Sequence, residues 1–340
     1  ISEGLFVLGE ATSIERVRLL LLGAGLHQRQ GRYQQTISWA QRGLELAETL
    51  GSVAEQARAY LLLGGCRRLL GENREAIAEL RRSAELYRSV NDLSRLADAY
   101  NNLALTHTDL GEPDQAVPLY QAAYEIKHAV NDIYGQALIR LNLGDVYRLL
   151  GRADQAVPAL QEALGLFTRL GSKMGVAVSH MNIGAAYLLE HNYPETAAHL
   201  DTSLGMFIEV GIETYLSELY RLEARLFLAQ GQFEQALLAA DQSIAYAQKL
   251  AARLDEGQAR LLRGQILARS ARPDEAMAGL DQALAILEDC NNPDSILSCL
   301  DELAQLAAAH APERRAAYAR QAAALRERQA PTNDSPAPAS

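Results

Sequence analysis

A residue suited to a tight left-handed turn recurs about every 20 positions along this chain. Gly31, Gly71, Gly111, Gly151 and Gly231 share one ladder with a step of 40, and His191, Ala271 and Ala311 occupy the rungs where glycine is missing. A second ladder runs halfway between, through Gly51, Asn91, Asn131, Gly171, Gly211, Ala251 and Asn291. Glycine and asparagine most readily take the left-handed conformation that closes a helix. The spacing therefore predicts helices near 13–30, 33–50, 53–70 and onward at a step of 20, with no strand in 13–328. The fold class is all-α, and repetition at this period is the signature of a solenoid.

Small residues keep the same register. Seven positions before the rungs stand Ala24, Gly64, Ala104, Gly144, Gly184, Ala224, Gly264 and Ala304. Five after them come Thr36, Ala76, Ala116, Ala156, Thr196, Ala236, Ala276 and Ala316. Twelve after them come Gly43, Ser83, Ala123, Ala163, Ser203, Ser243, Ala283 and Ala323. Where helix axes cross at about 8–10 Å, a large side chain would hold them apart. Leu103, Leu143, Ile183, Leu80, Leu160, Leu200 and Leu280 are the expected core between these columns.

Asn142-Leu143-Gly144-Asp145-Val146-Tyr147, followed by Gly151, Ala156, Leu160 and Ala163, resembles the tetratricopeptide repeat. The resemblance covers about eight units over residues 13–328. Its 40-residue period resembles kinesin light chain and Pins-type repeats, and the C-terminal repeat regions of bacterial maltose-activator-type regulators. It implies a right-handed superhelical solenoid of helix-turn-helix units, helix A on the concave side and helix B outside. The departures are His27, Arg67, Leu267 and Ala307 in the tyrosine column, and Glu223 and Arg263 in the leucine column. Pro118 and Pro158 fall inside helix B and predict a mild bend, with a shifted helix start as the alternative.

Residues 1–12 are expected to lead from a missing upstream region, since the chain starts at Ile1 with apolar Leu5-Phe6-Val7-Leu8. Residues 313–328 read as a capping helix with a charged face, and 329–340, rich in proline, as a disordered tail. Cys66, Cys290 and Cys299 are odd in number and form no CxxC, which favours a reducing, cytoplasmic setting. No apolar run of 18 residues marks a membrane span, and no signal peptide is visible. The net charge is −10, and residues 91–250 carry 10 basic against 19 acidic side chains. That balance repels phosphate backbones and argues against nucleic acid as a partner.

Offsets 13, 10, 9, 6, 3 and 2 before each rung share one face of helix A. Offset 9 holds Asn102, Asn142 and Asn182 in consecutive units, and Asn101 precedes the first of them. An asparagine amide can pair with a peptide N–H and C=O together. In kinesin light chain and Pins-type repeats, which Asn101–Ala104 resembles, asparagines here contact bound peptides; the alternative is a structural bridge between neighbouring A helices. Asp98, Asp109, Asp145 and Arg148 share the stripe in units three and four, Arg221 and Arg225 in unit six, Arg18, Arg58 and Arg68 in units one and two. Gly25 and Gly65 leave room on it for a close approach, or reflect only helix tolerance.

No phosphate loop, nucleophile elbow or HExxH is present. His27 and His107 fall in the tyrosine column and read as core. The expected function is non-catalytic binding of a protein or extended peptide, some of it acidic, with no cofactor, metal, nucleic acid or membrane. The candidate contacts are Asn101, Asn102, Asn142, Asn182, Asp145, Arg148, Arg221 and Arg225. A sensing arm of a larger signalling ATPase or transcription activator, and self-association through end units, are the alternatives.

Overall fold

The computed structural model describes residues 12–329. The expected lead at 1–12 and tail at 329–340 lie, but for one residue each, outside the described residues. The described chain is helical, without a strand. In order the helices are α1 (Ile14–Arg29), α2 (Tyr33–Thr49), α3 (Val53–Leu69), α4 (Asn73–Ser89), α5 (Leu93–Asp109), α6 (Pro113–Ala129), α7 (Ile133–Leu149) and α8 (Ala153–Arg169). Then follow α9 (Lys173–Leu189), α10 (Tyr193–Val210), α11 (Leu216–Ala229), α12 (Phe233–Lys249), α13 (Arg253–Arg269), α14 (Pro273–Asp289), α15 (Pro293–His310) and α16 (Pro312–Gln329). Odd-numbered helices are the A helices and even-numbered ones the B helices of about eight units. Two compact units are present: the first ends at Glu190 and holds α1–α9, and the second begins at His191 and holds α10–α16.

Every rung from Gly31 to Asn291 has a positive φ, including His191, Ala251 and Ala271 at 57°, 53° and 58°. The turns close alike. Gly31 N–H donates to the Gln28 carbonyl and Arg32 N–H to the His27 carbonyl, and the same pair recurs at Gly71, Gly111 and Gly151. Except after Gly211, the residue following each of these rungs also caps the next helix, as Arg32 does by accepting from Thr36 N–H.

Ala311 breaks the series, with φ −151°. Pro312 follows it and has no N–H to complete the turn, and a residue before proline is pushed to extended backbone. A helix forms over Pro312–Gln329, but the register of its inward side slips by two residues. Ala316 and Ala323 are exposed, and Tyr318, Ala322 and Leu325 pack inward instead.

Inside the hairpins the small columns perform as expected. A Cβ on Gly64 would lie 2.6 Å from Leu80 Cγ, on Gly144 2.5 Å from Leu160 Cγ, and on Gly264 2.5 Å from Leu280 Cγ. The three leucines are fully buried. Ser83 Oγ donates 2.8 Å to the Ala57 carbonyl, and Ser243 Oγ 2.7 Å to that of Ser217, so these column hydroxyls are satisfied on the paired A helix. α6 and α8 run unbroken through Pro118 and Pro158 from their expected starts, which excludes the shifted start. Asp114 and Asp154 stand four residues before these prolines, so the missing N–H groups withdraw the partners of their carbonyls in the first helical turn.

Two departures need separate accounts. α11 starts at Leu216, three residues beyond the expected 213. Where the preceding unit sets Gly175 against Phe167, the chain here sets Tyr215 against Phe207. Both rings fit only flat on one another, at 5.3 Å and 12°, and the first turn of α11 gives way. Lys127 occupies the column of Tyr87 and Phe167, yet is buried. Its ammonium reaches Asp98 at 2.7 Å on α5 and Asp132 at 2.9 Å before α7. Burial opposes its charge, but the two carboxylates outweigh it and hold Lys127 above the ordinary ammonium value.

Candidate functional site: the face of the A helices

In the first unit successive A helices touch, α1 to α3, α3 to α5, α5 to α7 and α7 to α9. In the second, α11 touches α13 and α13 touches α15. No two B helices make such contact among the described residues. Each unit therefore curves toward its A helices, and the stripe read from the sequence lies on that inner side.

The stripe of the first unit is polar and cross-linked. Arg18 of α1 pairs with Glu55 of α3 at 3.0 Å, and Arg58 approaches the same carboxylate at 3.8 Å. Arg68 of α3 reaches Asp109 of α5 at 2.7 Å. The amide of Asn142 on α7 donates to Asn101 Oδ1 on α5 at 3.1 Å. Asn102 donates to the Asp98 carbonyl of its own helix at 2.8 Å. Asn101, Asn102, Asn142 and Asn182 are all half-buried. Thus Asn101 and Asn142 do bridge neighbouring A helices, while Asn102 is tied to its own backbone and keeps its amide oxygen for other partners.

The charges are more paired than their positions suggest. Arg148 grips Asp145 one turn earlier through Nε and Nη2, at 2.9 and 2.6 Å. Lys127 draws the Asp98 carboxylate toward α6. The arginine-rich N-terminal end of the stripe is largely neutralised by Glu55 and Asp109. Gly65 is buried and a Cβ there would crowd Gln28 at 3.2 Å, whereas one on Gly25 would meet nothing, so of these two glycines only Gly25 leaves open space. In the second unit Arg221 donates to Gln258 of α13 and stands 3.8 Å from Asp255; Arg225 is exposed on the same helix. Glu302 of α15 takes the asparagine position there, and burial raises its carboxyl.

The sequence stripe missed Glu55 and Asp255. Both stand 16 before their rungs, one turn beyond the offsets counted, and extending the 3.6-residue face by that turn finds them. His107 sits in the core column as expected, its Nδ1 2.8 Å from Glu112. His27 lies edge-on to Trp39 at 5.2 Å. No helix among the described residues is long and apolar enough to cross a membrane.

The fold and this face define a helical-hairpin repeat array. Over residues 16–89 and 95–169 the chain matches the family profile described as Tetratricopeptide repeat. No curated protein sequence matches the chain. Among solved structures, the quorum sensor NprR from B. thuringiensis, in its apo form, superposes at TM-score 0.68 and 15% identity, over 91% of this chain and 87% of that one. A Rap protein complexed with competence and sporulation factor gives 0.66 and 14%, over 93% and 99%. A signal-transduction ATPase (STAND) with a tetratricopeptide repeat sensor, from Pyrococcus horikoshii, gives 0.61 and 15%; this chain covers 49% of that one, and 96% of this chain is matched. At these identities the likeness is one of fold.

Proposed function

We propose that the chain is a non-catalytic scaffold that holds a protein segment or extended peptide along the face of its A helices. The observation that carries the reading is the half-buried asparagine row on α5, α7 and α9. Such amides can pair with a peptide backbone whatever its side chains. Asn101 and Asn142 would exchange their mutual bond for the peptide's groups. Asp145 and Arg148 in the first unit, and Arg221 and Arg225 in the second, would read charge, the arginines favouring acidic groups. Two fold neighbours support a regulatory setting by their descriptions, one as a quorum sensor and one as a complex with competence and sporulation factor. A sensing arm within a larger ATPase is the second reading, favoured by the match to the sensor-bearing ATPase.

The test is fluorescence anisotropy with a set of extended peptides, neutral and acidic, on the wild type and on Asn102→Ala/Asn142→Ala/Asn182→Ala. Each lost neutral hydrogen bond costs about 0.5–1.5 kcal/mol, so the triple variant should bind more than about tenfold more weakly. Its circular dichroism should stay that of the wild type, because these side chains lie on the surface layer. Salt should weaken binding only moderately, since backbone pairing is neutral. Unchanged affinity in the triple variant, or unfolding with binding preserved per folded molecule, would refute the reading.

A further inference from the structure

The B-helix side of the first unit holds a second candidate site. Between α4 and α6, floored by α5, lies a cleft of about 340 Å³. Arg81, Arg88, Tyr100, His107 and Pro118 line it. Arg88 bonds to the Tyr100 hydroxyl and stands 5.9 Å from the centre of that ring. Arg81 makes no ion pair or hydrogen bond among the described residues. His107 is buried, and its Nδ1 is engaged by Glu112. The acid on the wall, Glu85, is already paired with Arg82 at 3.1 Å. The cleft is thus cationic on one side and aromatic on its floor.

One period further on, the chain fills the same cleft itself. Between α6 and α8, over α7, the Arg140 guanidinium lies 3.8 Å above the Tyr124 ring, and its Nε is 2.8 Å from Glu162. The Tyr124 hydroxyl donates to that carboxylate as well. The plug is an aromatic ring and a carboxylate held by an arginine. In the α4–α6 cleft the positions of Tyr124, Glu162 and Arg140 are Ala84, Ala122 and Tyr100, so the plug is missing, and the cations here are Arg81 and Arg88 of α4, where α6 has Gln121 and His128. The corresponding cleft over α13 has no such vacancy of charge: Arg263 is paired with Asp241 at 2.7 Å, and Arg260 with Glu256 at 3.0 Å.

We propose that the cleft between α4 and α6 binds a carboxylate carried on an aromatic body. Arg81 and Arg88 receive the carboxylate, and the ring takes the space that Tyr124 fills one unit later. Its volume falls at the small end of ligand pockets, roughly 300–1,000 Å³, and suits a single-ring acid. The same chemistry can arrive as a free acid or as neighbouring tyrosine and glutamate side chains of a peptide.

Titration calorimetry with 3-(4-hydroxyphenyl)propanoate, its primary amide and the capped dipeptide acetyl-Glu-Tyr-amide tests this. The acid or the dipeptide should bind, and the tighter of the two identifies the source. Arg81→Ala and Arg88→Ala should each weaken that binding about tenfold, the loss expected of a charge-assisted contact. Ala84→Tyr, which puts a ring into the cleft at the position that Tyr124 holds one period on, should abolish it with the helical spectrum unchanged. Absence of binding to the wild type at millimolar acid and dipeptide overturns the proposal. So does an amide that binds as well as the acid, or a plugged variant that still binds.

Discussion

Glu223 is the residue whose chemistry most departs from its position. It sits in the column that Leu103, Leu143 and Ile183 fill, and it is half-buried. Burial, with the Asp201 charge adding to it, raises its carboxyl from 4.5 to about 7. One unit later the same two positions hold Arg263 and Asp241, an ion pair at 2.7 Å. In the folded chain Glu223 keeps its proton between about pH 4.5 and 7, whereas the unfolded chain has lost it. The folded state binds more protons there, so this group's contribution to stability is full below about 4.5 and is lost as pH rises through about 7. The loss should be about 1–2 kcal/mol once solvent screening is allowed for. Urea midpoints should fall from pH 5 to pH 8 in the wild type, and the fall should shrink in Glu223→Gln; an equal fall in both would reject the assignment. The glutamate was legible as a break in an apolar column. Its partner was not, because a pairing across 22 residues depends on how neighbouring units stack, and single-chain periodicity does not report that. For the asparagines a bridge between neighbouring A helices was one of two readings the sequence left open, but it did not show that Asn101 and Asn142 are the pair.

The helices were legible almost to the residue, because each is bounded by an identified turn residue. Where this failed, a specific neighbour intervened: Pro312 removed an N–H and shifted α16, and Tyr215 displaced the start of α11. The helix crossings follow from the small columns, and two glycines separate the two uses of that residue. Gly144→Leu drives a side chain into Leu160 at a buried crossing and should cost about 3 kcal/mol. Gly31→Ala meets no atom within 4 Å and pays only for its φ of +71°, about 1 kcal/mol. Urea melts of the two variants compare them directly, and equal losses would contradict the packing role of Gly144.

Within each unit the contacts join each helix to its sequence neighbours and each A helix to the next A helix. Stability is then close to a sum over adjacent units, and folding is driven by local contacts. The asparagine row and the basic cleft are both products of this regularity, one a repeated side chain and the other a place where the groups that fill the next cleft are absent. The uniform left-handed turns have a further consequence, for how such a chain can change length. Gly71 and Gly151 close their helices with the same bonds, and Gly64 meets Leu80 as Gly144 meets Leu160. Excising residues 72–151 would join Gly71 to Arg152 and set Gly64 before Leu160, so the seam would be indistinguishable in kind from those already present. The shortened chain should retain its helicity per residue and melt cooperatively by circular dichroism. A cut one residue longer would rotate every later column by about 100° against its neighbours and should yield a poorly packed product. Length in this molecule is therefore available to recombination in whole periods, as a discrete variable with no intermediate values.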